Sequence, residues 1–134
     1  MLSPVAIQRV EGAALLVFAV VVFALSDLSW RWFALLLLIP DLCMLGYLAN
    51  DATGAAVYNV GHTMVWPMGL LAWGLAADQR WPIGIGAIWL AHIGMDRALG
   101  YGLKLADGFK HTHLGWIGRP GRRPAGGDTP DPHR

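Results

Sequence analysis

The sequence predicts an all-α polytopic membrane protein, a four-helix up-down-up-down transmembrane bundle, on three observations. Of its 134 residues, 55% are hydrophobic and 14% charged, where an ordinary soluble domain has about 25% charged. Four apolar stretches, about 12–28, 32–49, 55–76 and 82–103, each approach the ~20 residues that cross a ~30 Å hydrocarbon core as helix. The connections Ser26–Arg31, Asn50–Gly54 and Ala77–Trp81 are short, which makes sequential helices antiparallel neighbours.

Taken in order, the first stretch follows Arg9 and Glu11 and is uniformly large and apolar. Arg9, Ala13–Leu25 and Ser26 also fit a signal-peptide pattern, but Glu11 and the very short following loop argue against it. The second stretch is flanked by Trp30 and Trp32, and the fourth by Trp81, indoles suited to the headgroup level. Within the second, Pro40 precedes Asp41, where a proline kinks a helix and frees a carbonyl. In the third, Asn59, His62, Thr63 and Trp66 fall within one ~100° arc. In the fourth, His92 and Asp96 are four apart and share a face. Gly94, Ala98 and Gly102 form a ladder of small residues on the far side, suited to close backbone approach. Ile88, Met95 and Leu99 are left as its narrow lipid-facing arc. Residues 1–118 form the transmembrane domain. The Pro-, Gly- and Arg-rich stretch 119–134 is expected to be a disordered tail.

Several classes are excluded. The net charge is +1 and the basic residues are scattered, so there is no nucleic-acid footprint. Cys43 is the single cysteine, which rules out an intramolecular disulfide. Arg9, Lys104, Lys110, Arg119, Arg122 and Arg123 lie on the side of both termini, against Arg31 and Arg80 opposite. The positive-inside rule then places both termini in the cytoplasm of a multi-pass protein of the cell's inner membrane. The expected partners are the lipid bilayer and a lipid-soluble small molecule; oligomeric state is left open.

The polar residues share one leaflet. Glu11, Asp41, Tyr47, Asn59, His62, His92, Asp96, Arg97, Tyr101 and Lys104 all fall between the bilayer centre and the cytoplasmic surface on this topology. By contrast, Ala14–Leu25, Trp32–Ile39, Val65–Ala76 and Trp81–Ala91 carry no ionisable side chain. An ionisable group near the centre costs about 2.5–3.5 kcal/mol on insertion scales. Asp41, His62, His92, Asp96 and Arg97 are therefore expected to converge as a candidate catalytic cluster, with Glu11, Asn59 and Tyr101 as substrate-binding residues. Arg97 is expected to pair with Asp41 first and Glu11 second. Tyr47, Tyr58 and Tyr101 also read as packing residues, and Lys104 and Lys110 as anchors snorkelling to the interface.

Four functions remain open for such a cluster. Carboxylates in low dielectric beside histidines can do acid–base chemistry on a lipid-soluble substrate. His62, His92 and Asp96, completed by Asp41 or Glu11, offer imidazole and carboxylate ligands to a first-row metal, against which a nearby Arg97 would argue. The same groups could relay protons in a small transporter, although the bare outer leaflet offers no stations. They could also only fix helix packing, within this chain or in a larger complex. The sequence names neither cofactor nor metal.

His92-Ile93-Gly94-x-Asp96-Arg97-x-x-Gly100-Tyr101-Gly102-Leu103-Lys104, followed by Phe109-Lys110-x-Thr112-His113-Leu114-Gly115, resembles the signature of a bacterial family of small integral membrane proteins catalogued as a domain of unknown function. Pro40-Asp41-x-x-Met44-x-Gly46-Tyr47 and Tyr58-Asn59-x-x-His62-Thr63 extend the resemblance over about residues 9–117. His111 stands where that family more often has an acidic residue. The resemblance implies a four-helix membrane protein and supplies no activity.

Overall fold

A computed structural model describes residues 3–117; the expected tail, 119–134, lies outside the described residues. Helix α1 spans Pro4–Ala24. It starts well before the expected residue 12 because Ser3 caps it, accepting from the Ala6 amide at 3.2 Å, and Pro4 occupies the first turn, where its missing N–H costs nothing. The expected second helix, 32–49, is two pieces: α2, Trp30–Leu36, and a 3₁₀ helix, Ile39–Leu48. Pro40 lies at the junction, where its ring blocks continuation of the preceding turn.

The expected third helix, 55–76, is likewise broken. Helix α3, Asp51–Gly61, is capped by the Asn50 side chain, which accepts from the Thr53 amide at 2.8 Å. Helix α4 spans Val65–Ala76. Pro67, in its first turn, has no N–H to bond back to Thr63, so one helix cannot run through. The break leaves His62 at the end of α3 rather than inside a longer rod. Helix α5, Arg80–Leu99, stops before the expected residue 103 because Gly100 takes a left-handed φ of 93°, the usual helix-ending conformation. The chain beyond is a small antiparallel sheet: β1 Lys104–Leu105, β2 Gly108–Thr112 and β3 Gly115–Trp116, in that order. The fold is mostly helical rather than all-α.

Helix α5 is the axis of the molecule. Its residues from Gly84 to Asp96 are largely buried, and α1, α2 and α4 pack around it. Ala19 packs with Leu90 and Ala91, and Phe23 with Ala87 and Ile88. Ile88, expected to face lipid, is instead covered by this second group, because Phe23 and Leu37 reach across it. Small residues allow the α1–α5 approach. A Cβ on Gly94 would meet the Leu16 amide nitrogen at 2.6 Å and the Gly12 carbonyl at 2.8 Å, and one on Gly12 would meet the Ala98 nitrogen at 2.7 Å. The register (Gly12 with Ala98, Leu16 with Gly94, Leu28 with Gly84) makes the pair antiparallel. The 3₁₀ helix packs against α3, antiparallel, with Gly46 near Val57 and Cys43 near Gly61.

Among the described residues, two segments are long and apolar enough to cross a membrane, Pro4–Ala24 with mean hydropathy 2.0 and Trp30–Leu48 with 1.5. Only 11% and 0% of the residues in their most apolar 18-residue stretches are buried within the fold.

Candidate metal centre

Three elements bring four donor side chains to one point. The four-residue spacing of His92 and Asp96 places both on one face of α5, at its most buried part. The end of α3 supplies His62, held there by the Trp89 indole, which donates to the Gly61 carbonyl at 2.7 Å. The 3₁₀ helix supplies Asp41 from its first turn. The resulting contacts are short. His62 Nε2 lies 3.1 Å from His92 Nε2, 3.7 Å from Asp41 Oδ1 and 3.5 Å from Asp96 Oδ2. His92 Nε2 lies 3.4 Å from Asp41 Oδ1 and 3.6 Å from Asp96 Oδ2.

The same four atoms recur in every contact, so they are the corners of one tetrahedral cluster. Its sixth edge, between the two carboxylates, is within 4.8 Å. Ligand bonds of about 2.0–2.1 Å to nitrogen and oxygen imply a tetrahedral edge of roughly 3.3–3.4 Å. The five edges given above bracket that value. The donor set of two imidazoles and two carboxylates is one that first-row divalent ions accept.

The surroundings orient these donors. His62 Nδ1 lies 2.9 Å from the Tyr58 carbonyl, and a carbonyl can only accept. Nδ1 therefore carries the proton, and Nε2 presents its lone pair to the cluster. The Tyr58 ring stacks on the His62 ring at 3.7 Å between centroids and 11° between planes. Its hydroxyl donates to Asp96 Oδ2 at 2.8 Å. One tyrosine thus sets the tautomer of one donor and the position of another. His92 Nδ1 is buried with no hydrogen-bond partner among the described residues. The four side chains are unequally covered: His92 is 0% exposed, His62 3%, Asp96 12% and Asp41 38%. Asp41 forms the open wall.

Beside that wall lies a cavity of about 200 Å³, bounded by Asp41, Asp96, Tyr58, Tyr101, Lys104 and Phe109 among others. Lys104, expected to snorkel outward, is instead 3% exposed. Its Nζ sits over the rings of Phe109 at 4.2 Å, Tyr58 at 5.0 Å and Tyr101 at 5.8 Å. Burial pulls its ammonium below the ordinary lysine range, while the Asp96 and Asp41 carboxylates pull the other way. It is turned inward because Asn59 grips its backbone from both sides, accepting from the Lys104 amide at 2.7 Å and donating to its carbonyl at 2.8 Å.

Of the expected site residues, Asp41, His62, His92 and Asp96 come together; Arg97 does not. Its guanidinium contacts the Met64 sulfur at 3.7 Å and forms no ion pair among the described residues. The expected Asp41–Arg97 pair is absent because Asp41 faces the histidines, while Arg97 projects about 100° around α5 from Asp96. With Glu11, it lines a separate cavity of about 280 Å³. Asn59 engages backbone rather than open space, and Tyr101 borders the cavity at Asp41. His111 bonds to Asp107 at 2.7 Å, which holds that carboxyl below the usual range, and His113 accepts from the Leu103 amide at 2.8 Å. Sequence reasoning missed the roles of Tyr58 and Lys104, whose partners are remote in the chain. The signature residues Tyr58 and Lys104 were visible, but spacing along one helix gave no sign of what they touch.

No curated protein and no solved structure matches the chain. A family described as a domain of unknown function, DUF4260, matches residues 5–117. The chain belongs to that family.

Proposed function

We propose that this chain is a membrane-embedded metalloenzyme that holds one divalent first-row ion on Asp41, His62, His92 and Asp96 and acts by hydrolytic chemistry on an amphipathic, lipid-soluble substrate. The observation that carries the reading is the cluster of four donor atoms, five of whose separations are 3.1–3.7 Å and the sixth within 4.8 Å. Zn²⁺, which favours four nitrogen and oxygen ligands in this geometry, is the best match. Membrane embedding is supported by Pro4–Ala24 and Trp30–Leu48, long apolar segments in which the fold fully buries few residues. A core helix of that hydropathy would be buried instead. Four spans with both termini cytoplasmic remain the topology that fits the loop charges.

When bound, such an ion polarises a carbonyl or phosphoryl oxygen and makes bound water acidic near neutral pH. The chain's own residues divide the rest. His62, His92 and Asp96 are covered and fixed, the first and last by Tyr58. Asp41 is the accessible member and borders the cavity, so it would be the donor nearest to an entering substrate or water. Its second carboxylate oxygen would be placed there to serve as a general base.

The test is elemental analysis of protein purified from membranes in a neutral detergent. Wild type should carry roughly one ion per chain, and His62→Ala and His92→Ala should each retain less than about a tenth of it. Wild type carrying no more metal than His92→Ala would refute the reading and leave a cluster that only fixes packing.

A further inference from the structure

The cavity beside Asp41 contains a charge that the metal reading, on which this inference rests, leaves unbalanced. Among the residues that line it, the charged ones are Asp41, Asp96 and Lys104. Two carboxylates neutralise a divalent ion, and the histidines are neutral as ligands. Lys104 then remains as a buried cation, its carboxylate neighbours already committed. Its ammonium forms no ion pair among the described residues, and aromatic faces surround it on three sides. Ring faces attract a cation but accept no ordinary hydrogen bond, so the donors of the ammonium are left to whatever occupies the cavity that Lys104 lines.

We infer that the site binds a singly charged oxyanion carried on an apolar tail, with the anionic head placed between the metal and the Lys104 ammonium. The cavity of about 200 Å³ holds a carboxylate or phosphodiester head and few further atoms. The tail leaves over Phe109, Tyr101 and Met44, each about 40% exposed at the rim. This places Lys104 as a binding residue opposite the Lewis acid, where it stabilises charge on the substrate oxygen. Asn59 is a positioning residue that acts through the Lys104 backbone.

The experiment uses protein loaded with Co²⁺, whose visible spectrum reports ligand changes at the metal, titrated with octanoate, acetate and octanol. Octanoate should shift the bands in wild type, acetate should bind more weakly because it lacks the tail, and octanol should produce no shift. Lys104→Met should take up Co²⁺ normally, which shows that it is folded, but bind octanoate at least about tenfold more weakly. Lys104→Arg should stay within about threefold of wild type, since the charge is kept. Equal octanoate affinity in wild type and Lys104→Met would overturn the inference while leaving the metal reading intact, as would octanol matching octanoate or acetate matching it. Failure of wild type to take up Co²⁺ would remove both.

Discussion

Tyr58 is the residue on which the centre depends beyond its four donors. Its hydroxyl fixes Asp96 and its carbonyl fixes the tautomer of His62. Only the first is lost in Tyr58→Phe, which keeps the ring stacked on His62. Outer partners of this kind are worth about 10–100-fold in metal affinity. Tyr58→Phe should therefore fold normally and bind Zn²⁺ roughly 10–100-fold more weakly in competition with a chromophoric chelator; unchanged affinity would contradict the assigned role. The meeting of Asp41, His62, His92 and Asp96 was legible in the sequence, because polar side chains at matched positions along apolar stretches have few alternatives to converging. Arg97 was misplaced for a physical reason. Depth places a residue along a helix axis but not around it, and a 100° step directs Arg97 towards Met64 and Glu11 instead.

At the scale of elements, the small residues of α1 and α5 set the distance between the two helices. Gly94→Ala puts a methyl group into the backbone of α1 at Leu16 and Gly12, a kind of overpacking that costs about 1–3 kcal/mol. Gly69 is exposed in α4 with nothing within 4 Å of the added carbon, so Gly69→Ala should be neutral or stabilising by up to about 1 kcal/mol. Thermal unfolding of both variants in one detergent checks this pair of outcomes. Equal melting temperatures would show that the α1–α5 contact is loose. The Gly94–Ala98 ladder was legible from its spacing. The helix breaks were only half legible: Pro40 and Pro67 were in plain view, but hydropathy alone runs straight through them. The turn at Gly100 and the sheet beyond it were hidden because Tyr101-Gly102-Leu103 continues the apolar pattern after the helix has ended.

At the scale of the molecule, apolar and polar side chains are segregated. The surfaces of α1, α2 and the 3₁₀ helix are apolar and uncovered, whereas polar donors are collected at the inward faces of α3, α5 and the 3₁₀ helix. In the proposed membrane setting hydrophobic burial between helices is worth little, so close packing and polar contacts would hold such a bundle together. A metal binding all three elements would contribute to folding as well as chemistry. The mostly helical character was readable from the apolar stretches, but the sheet and the close geometry of the four donors were not, because they rest on how separate elements pack. The most direct test is X-ray absorption at the metal edge of the protein as purified. The account predicts four nitrogen and oxygen neighbours at about 2.0–2.1 Å with two imidazoles among them. A sulfur neighbour at about 2.3 Å, which would implicate Cys43, or a spectrum unchanged in His92→Ala, would contradict it.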